Sequence, residues 1–235
     1  RCDSSMTDKT KKIIVVGDGF VGKTCFVSKM AEGKFITNYH ATVGVEYGVR
    51  TCKRAGKESV RLSLWDIAGQ ERFRSLMPQF GRNAMAAIVM CDLTRKETLE
   101  GARAWKQSID NTILLHNGQA VPCLLLANKC DVHKGKRMIS PDDLASFASE
   151  NRFICIYEVS VKDGTNLNEA IDRLLDVLES IEMAESDLMT TSHIVLGPEP
   201  ASQEPHNACC ASGGGGGAGG GGAGGGGNGG ASNNL

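Results

Sequence analysis

The sequence predicts a doubly wound α/β sandwich, in which helices cover both faces of a six-stranded, mostly parallel sheet that has one antiparallel strand. Short runs of β-branched and aliphatic residues alternate along the chain with stretches whose apolar residues recur at helical spacing. Residues 43–49 and 60–65 alternate like strands and are separated by turn residues at 54–57, which predicts one antiparallel hairpin. Residues 11–182, which carry all of these patterns, have the size of one such domain.

The other elements follow from hydrophobic periodicity. Buried strands are predicted at residues 13–16, 86–91, 121–127 and 153–159, and helices after Thr24, at 99–113, at 141–150 and at 167–181. Ser140 precedes Pro141 and is the predicted N-cap of the third helix. Ligands of such sheets bind at the carboxyl ends of the strands, so the residues that follow each strand are the candidates for a site.

The first strand leads into a phosphate-binding loop. Residues 17–24 read Gly-Asp-Gly-Phe-Val-Gly-Lys-Thr and match G-x-x-x-x-G-K-[ST] between a strand and a helix. Glycines let successive N–H groups turn toward phosphate oxygens, and the helix N-terminus adds its positive dipole end. Lys23 places a cation on the β- and γ-phosphates, and the Thr24 hydroxyl suits Mg²⁺. The predicted phosphate-binding residues are Gly17, Asp18, Gly19, Phe20, Val21, Gly22, Lys23, Thr24 and Cys25.

A second strand-end motif, Asn128-Lys129-Cys130-Asp131, predicts that the base is guanine. The Asp131 carboxylate can accept hydrogen bonds from the N1–H and the 2-amino group of guanine, and adenine offers neither donor. Sites of this kind discriminate by about 10⁴- to 10⁵-fold, because the wrong ligand leaves their polar groups unpaired. Lys129 can lay its methylene stem over the base.

A third motif, Asp66-Ile67-Ala68-Gly69-Gln70, suits the terminal phosphate and its metal ion. Asp66 fits Mg²⁺, usually through a water molecule, because Mg²⁺ keeps part of its hydration shell. Gly69 can bring its N–H to the γ-phosphate, and Gln70 has the donor and the acceptor needed to orient an attacking water. Thr42 offers a second hydroxyl for Mg²⁺. The predicted ligands are therefore GTP or GDP with Mg²⁺, and the predicted metal ligands are Thr24, Thr42 and Asp66.

These motifs resemble those of the small GTPases of the Ras superfamily, and more closely those of the Rab type. They occur in the family's order and with its spacing across nearly all of residues 11–182. Ile67 and the run 122–131 resemble the Rab branch that serves lysosome-related organelles. The matching elements are residues 17–24, Thr42, residues 65–73, residues 128–131 and residues 160–162.

The resemblance implies further site residues. Phe35 matches the aromatic residue that packs edge-on against guanine. Ser160, Val161 and Lys162 match the S-A-K loop that supports the base, with the Val161 N–H near the guanine carbonyl. The residues matching the aromatic triad that Rabs present to effectors are Tyr47, Trp65 and Phe80, although simple packing of the hairpin is an alternative role for them.

Two residues depart from the family pattern. Phe20 is bulky where the family usually has a small residue, and phosphate binding does not require it. Gly81 stands where Rabs usually carry a second tyrosine, so we expect the neighbouring surface to select unusual partners.

The resemblance implies a molecular switch that hydrolyses GTP slowly and regulates vesicle and membrane traffic. The implied partners are an exchange factor, a GTPase-activating protein and effectors, with the chain itself a monomer. Gln70 and Lys23 are the predicted catalytic residues, and the sequence offers no arginine in cis for the transition state. One alternative is an exchange-regulated GTP-binding module with negligible hydrolysis. Another, an ATP-dependent kinase or transport ATPase, is disfavoured by Asp131.

Composition limits the remaining possibilities. A net charge of −1, from 26 basic and 27 acidic residues, gives no reason to expect nucleic acid as a partner. Nine cysteines without C-x-x-C spacing predict a reducing, cytoplasmic compartment with interior cysteines in the core. No apolar stretch approaches the roughly 18 residues needed to span a bilayer.

The predicted organisation is a flexible N-terminus at 1–10, a GTP-binding domain at 11–182 and a flexible tail at 183–235. The tail contains an almost pure Gly/Ala segment at 213–230. Cys209 and Cys210 resemble the cysteine pair that Rabs prenylate, which would place the protein on the cytosolic face of endosomal, lysosome-related or Golgi membranes. Because residues follow that pair, three outcomes stay open: the tail is processed, the transferase tolerates it, or the protein is not lipidated.

Overall fold

The computed structural model describes residues 10–37 and 42–192, except for the side chains of Glu71, Arg72, Lys134 and residues 188–192. The candidate lipidation residues Cys209 and Cys210 and the glycine-rich segment lie outside the described residues, as do residues 1–9.

The described chain contains a six-stranded sheet in the order β2-β3-β1-β4-β5-β6. β2 and β3 pair antiparallel, and every other neighbouring pair is parallel, which confirms the predicted fold class and its single antiparallel strand. The strands are β1 (Thr10–Gly17), β2 (Val45–Cys52), β3 (Val60–Ile67), β4 (Ala86–Asp92), β5 (Cys123–Asn128) and β6 (Cys155–Val159).

Strand β1 lies in the middle of the sheet because both of its faces are apolar. Ile13 and Val15 belong to the core on one face, and Ile14 and Val16 belong to the core on the other. Successive side chains of a strand point to opposite faces, so an unbroken apolar run is what a doubly covered strand needs. Both neighbours are parallel, and the loop that follows β1 therefore opens at the carboxyl edge of the sheet.

Among the described residues, five α-helices cover the two faces. They are α1 (Lys23–Glu32), α2 (Met77–Phe80), α3 (Glu97–Thr112), α4 (Pro141–Glu150) and α5 (Leu167–Ser192), and 3₁₀ helices lie at Glu71–Leu76 and Lys134–Lys136. The predicted boundaries of the longer helices are confirmed to within a few residues, except at the end of α5.

The predicted boundary at residue 182 is wrong for the helix, because α5 continues to Ser192. The apolar stripe of α5 stops near Ile181, which is why the sequence pattern ended there. Polar residues then hold the next turns to neighbouring elements: Glu182 pairs with Lys11, and Glu185 accepts a hydrogen bond from Asn117 at 2.6 Å. At the other boundary, Thr10 already belongs to β1.

Packing against Ile113 explains why position 81 is a glycine in this structure. A Cβ placed on Gly81 would lie 2.0 Å from Cδ1 of Ile113, which is buried at the end of α3. Ile113 therefore fills the space next to the backbone at this position, and a larger residue at 81 would require it to move.

The interior cysteines behave as the composition predicted. Cys52, Cys91 and Cys123 are buried, and burial raises the pKa of the Cys91 and Cys123 thiols to about 12. These two are neutral core residues at physiological pH. Among the residues that the structure describes, no helix combines the length and the apolarity needed to cross a membrane.

The N-cap of α4 gives a stability prediction. The Ser140 hydroxyl accepts a hydrogen bond from the Asp143 N–H at 3.1 Å, and Asp143 in turn accepts from the Ser140 N–H. We expect Ser140→Ala to lower the free energy of unfolding by about 1 kcal/mol, because the first turn loses its capping box. Urea unfolding measures this. Ser146→Ala, the same change on an exposed site within the helix, is the control and is expected to have no such cost; equal losses in the two variants would contradict the capping role.

Candidate functional site

A cavity of about 450 Å³ opens at the carboxyl edge of the sheet, where the sequence placed the binding site. Most of the predicted site residues line it. Those lining it are Gly19, Phe20, Gly22, Lys23, Thr24, Cys25, Phe35, Thr42, Gly69, Gln70, Asn128, Lys129, Asp131, Val161 and Lys162, and one residue that the sequence did not predict, Val132.

Two glycines of the phosphate loop are required by their surroundings. Gly17 has φ 140°, and a Cβ there would lie 2.3 Å from the Met90 carbonyl oxygen of β4. Gly22 has φ 103°, and its Cβ would lie 2.4 Å from Nδ2 of Asn128. Both positions combine a left-handed backbone with a close approach, so only glycine lets the loop reach these neighbours.

Asn128 joins the phosphate loop to the loop that follows β6. It is buried, its Nδ2 donates to the Val21 carbonyl oxygen at 2.8 Å, and its Oδ1 accepts from the Val161 N–H at 3.1 Å. The Val161 N–H is thus bonded to Asn128 in this structure, and its position near the guanine carbonyl stays a prediction. The Asn128 side chain holds two ligand-binding loops at a fixed separation.

Lys23 is the cation at the base of the cavity. It is buried, and its Nζ donates to the Asp18 carbonyl oxygen at 2.8 Å. Burial lowers the pKa of Lys23 to about 8, against the opposing charges of Asp66 and Asp18. Gly69 lies against the same place: a Cβ on Gly69 would be 2.5 Å from Lys23 Nζ and 2.6 Å from the Asp18 carbonyl carbon. A phosphate group would supply the negative charge that this cation lacks.

Three oxygen-bearing side chains meet beside the phosphate loop. The Thr24 hydroxyl donates to Asp66 Oδ2 at 2.5 Å and lies 2.8 Å from the Thr42 hydroxyl, which is 3.3 Å from the same carboxylate oxygen. Burial raises the pKa of Asp66, although bonds from Thr24 and Thr42 and the charge of Lys23 act in the opposite direction. Asp66 Oδ1 is buried and has no hydrogen-bond partner within the described ranges. An all-oxygen set with one uncompensated carboxylate oxygen fits Mg²⁺.

Asp92 and Arg95 are site residues that no sequence motif indicated. The fully buried Asp92 accepts from Lys129 Nζ at 2.6 Å and from Arg95 Nε at 3.1 Å. Burial acts to raise its pKa, but bonds from Lys129 and Thr94 outweigh this and the pKa of Asp92 is lowered. Arg95 also donates to the Gly19 carbonyl oxygen at 2.9 Å, so this carboxylate ties the N-K-x-D loop to the phosphate loop. Asp92 is the last residue of β4, and ligands of such sheets bind at the carboxyl ends of the strands, so its position could have indicated a site residue.

Five predicted site residues lie behind the cavity wall. Val21 contributes its carbonyl to Asn128, and Gly17 supports the turn out of β1. Ser160 is buried, and its hydroxyl accepts from the Asp163 N–H at 3.1 Å, which shapes the loop that carries Lys162. The other two are Asp66, already described, and Asp18, whose side chain points to α3.

The predicted effector residues form a partly exposed aromatic surface. Tyr47 is 70% exposed, and its ring stacks on Trp65 with the centroids 6.1 Å apart. Lys12 lies on the same indole, with Nζ 3.9 Å from the ring centroid, and donates to the Arg82 carbonyl oxygen. Phe80 is half-buried and packs on the same core cluster as Trp65. Hairpin packing and a binding surface are both compatible with this arrangement.

Phe20 is at the mouth of the cavity in a backbone conformation that favours glycine. Its φ is 68° and its side chain is 63% exposed. We expect the free energy of unfolding of Phe20→Gly to be about 1 kcal/mol higher than that of Phe20→Ala. Both changes remove the ring, but only glycine adopts the left-handed backbone without strain. Urea unfolding of the two variants at one nucleotide concentration measures this difference. Equal stabilities would show that the backbone at Phe20 is not strained.

The cavity therefore combines four chemical elements. A glycine loop at a helix N-terminus and one buried cation suit phosphates, and the oxygen set of Thr24, Thr42 and Asp66 suits Mg²⁺. Asp131 and Lys129, the residues predicted to bind the base, line the same cavity. This arrangement fits a purine nucleoside di- or triphosphate.

Comparison with known proteins agrees with this chemistry. The sequence profile described as the Ras family matches residues 12–180. The chain is 40% identical to Ras-related protein Rab-7L1 of Homo sapiens over 185 residues, covering 79% of this chain and 89% of that protein. It is 34% identical to Ras-related protein Rab-32 of Mus musculus over 202 residues, covering 84% and 89%, and 35% identical to Ras-related protein Rab-32A of Dictyostelium discoideum over 175 residues, covering 74% and 80%.

Proposed function

The chain belongs to the Ras family as a Rab-type small GTPase, and from this premise we propose how its own residues operate the switch, which partners it meets and where it acts. Members of this family bind GTP or GDP with Mg²⁺, hydrolyse GTP and act in membrane traffic, and this chain does the same. The exchange-regulated module without hydrolysis is not favoured.

The observation that carries the proposal is the convergence of Thr24, Thr42 and Asp66, with hydroxyl and carboxylate oxygens 2.5 to 3.3 Å apart. These residues come from the phosphate loop, the loop before β2 and the end of β3. Together they would hold Mg²⁺, and the ion would supply the positive charge that neutralises the phosphate oxygens. Thr42 is available to the site only while its loop is closed. Loss of the terminal phosphate therefore releases that loop, and the protein changes state.

Hydrolysis depends on positioning and charge. Lys23 binds the β- and γ-phosphates, the Gly69 N–H binds the γ-phosphate, and Gln70 orients the attacking water. The sequence offers no arginine in cis for the transition state, so an activating protein accelerates turnover. In Ras, an activating protein that supplies such an arginine accelerates hydrolysis by about 10⁵-fold.

Base selection is assigned to the other end of the cavity. Asp131 accepts from the N1–H and the 2-amino group of guanine, and Phe35 packs against the ring edge. Lys129 lays its methylene stem over the base while its ammonium group is held by Asp92. Ser160, Val161 and Lys162 support the base through their loop.

Effector proteins are proposed to bind at the surface formed by Tyr47, Trp65 and Phe80. The exposure of Tyr47 and the stacked pair of rings support this, because large rigid aromatic residues are enriched in binding surfaces. The compartment is proposed to be a lysosome-related organelle, from the similarity to Rab-7L1 and Rab-32. Prenylation of Cys209 and Cys210 would provide the membrane anchor.

Two measurements test the proposal. Protein purified without added nucleotide is expected to release GDP rather than ADP, and protein loaded with GTP is expected to release phosphate in a single-turnover assay. ADP in the cavity would contradict guanine selection by Asp131. GTP that stays intact with an activating protein present would favour the exchange-regulated module. The intact mass of the protein from its own cells decides whether Cys209 and Cys210 carry lipid.

A further inference from the structure

Asp18 turns its carboxylate away from the cavity and onto helix α3. Oδ1 accepts a hydrogen bond from Trp105 Nε1 at 3.2 Å, and Trp105 is fully buried. One turn earlier on α3, a Cβ on Gly101 would lie 1.9 Å from Asp18 Oδ2. The absence of a side chain at Gly101 is therefore what admits the carboxylate to the helix surface. Phosphate binding uses the backbone of this loop, so it gives no reason for the carboxylate to be placed in this way.

Arg74 brings the segment after Gln70 to the same carboxylate. It lies in the 3₁₀ helix Glu71–Leu76, its Nη2 is 3.4 Å from Asp18 Oδ1, and its guanidinium carbon is 5.1 Å from the centre of the Trp105 ring. The side chains of Asp18 and Arg74 are each 28% exposed. An arginine that bonds a carboxylate and stacks on a tryptophan is fixed in orientation as well as in distance.

Gly69 touches the other side of Asp18. A Cβ on Gly69 would lie 2.6 Å from the Asp18 carbonyl carbon, and Lys23 Nζ donates to the Asp18 carbonyl oxygen at 2.8 Å. Residues 69–76, here called the switch II segment, therefore contact Asp18 twice, through the backbone of Gly69 and the side chain of Arg74. Gln70 lies between these two contacts.

We propose that Asp18, Arg74 and Trp105 form a clasp that holds the switch II segment in its hydrolysis-competent position, with Arg74 acting as a positioning residue for Gln70. The clasp rests on the proposed function, since it acts on the residue that orients the attacking water. While the clasp is closed, Gly69 and Gln70 stay beside the phosphate loop. When the segment leaves, the Arg74 contact must break, so the clasp favours the GTP-bound state over the GDP-bound state.

Arg74→Ala tests the clasp by single-turnover hydrolysis without an activating protein. One partly exposed ion pair and one cation–π contact shift an equilibrium by about 5- to 30-fold, so we expect hydrolysis to slow by that factor. GDP release and the thermal midpoint of the GDP-bound protein are expected to stay at the wild-type values, because Arg74 does not line the cavity and the clasp is open in that state. Arg74→Lys, which keeps the charge, is expected to recover part of the rate.

Arg103→Ala is the matched control. Arg103 lies on the same helix as Trp105, pairs with Glu100 at 3.2 Å and stands 5.4 Å from the centre of the Phe147 ring, so it makes the same two kinds of contact away from the cavity. It is expected to leave hydrolysis unchanged. The clasp is overturned if Arg74→Ala hydrolyses GTP at the wild-type rate or if Arg74→Lys recovers none of the lost rate. It is also overturned if Arg103→Ala slows hydrolysis as much as Arg74→Ala.

Hydrogen exchange separates the clasp from the catalytic proposal. With a non-hydrolysable GTP analogue bound, the backbone amides of residues 70–76 are expected to be more protected than with GDP, and Arg74→Ala is expected to remove that difference. This readout needs no hydrolysis. If the wild-type protein does not hydrolyse GTP but its residues 70–76 are protected as expected, only the proposed function is contradicted. If Arg74→Ala leaves that protection unchanged, the clasp is overturned.

Discussion

A Gln70→Leu variant is expected to bind GTP as tightly as the wild type and to hydrolyse it about 10²- to 10⁴-fold more slowly when an activating protein is present. Leucine has nearly the volume of glutamine but neither a donor nor an acceptor, so it cannot orient the attacking water. Gln70 is exposed at the rim of the cavity, and its carbonyl accepts the N–H of Phe73 through the backbone. The substitution therefore leaves the 3₁₀ helix after Gln70 intact.

The rate of phosphate release at single turnover measures this effect, with GTP affinity determined separately. Gln79→Leu is a matched control, since Gln79 is exposed on α2 and lies outside the cavity lining. That variant is expected to hydrolyse GTP like the wild type. Undiminished activated turnover in Gln70→Leu would show that water is oriented by another residue, and a parallel loss of GTP affinity would show a structural role.

The sequence predicted which chemical groups line the cavity better than it predicted the hydrogen bonds that connect those groups. Periodicity located the strands, and each strand end carries a motif with a defined chemical use, so Lys23, Asp66 and Asp131 were found without the structure. The hydrogen bonds that link such residues to other loops depend on how loops from distant parts of the sequence pack together. Nothing near Asp92 in sequence indicates that its carboxylate binds Lys129 and, through Arg95, reaches the phosphate loop.

The sequence also did not indicate that a large residue at one position fills the space beside a small residue at a distant one. Gly81 was a departure from the family pattern, and only the structure places the Ile113 side chain in the space beside it. The end of α5 was missed for a related reason. An amphipathic stripe marks the part of a helix that packs on a core, and the last turns of α5 contact their neighbours through polar side chains such as Glu185.

The N-K-x-D asparagine also connects separate loops, and its replacement gives the second large expected effect. In Asn128→Ala the Val21 carbonyl and the buried Val161 N–H lose their partner in one step. Each unpaired buried polar group costs about 1 to 3 kcal/mol, so we expect the free energy of unfolding to fall by roughly 2 to 6 kcal/mol. The phosphate loop and the base loop would no longer be held together, and we expect GDP to dissociate on the order of 10² times faster.

Release of a fluorescent GDP analogue and urea unfolding at a fixed nucleotide concentration measure the two effects. Asn151→Ala is the matched control, because Asn151 is a half-buried asparagine whose Nδ2 donates to the Phe147 carbonyl at 2.8 Å, at the end of α4. It is expected to change stability by about 1 kcal/mol and GDP release not at all. If Asn128→Ala unfolds more easily but releases GDP at the wild-type rate, the two loops bind the nucleotide independently. If GDP release accelerates as expected, the single amide of Asn128 couples phosphate binding to base recognition.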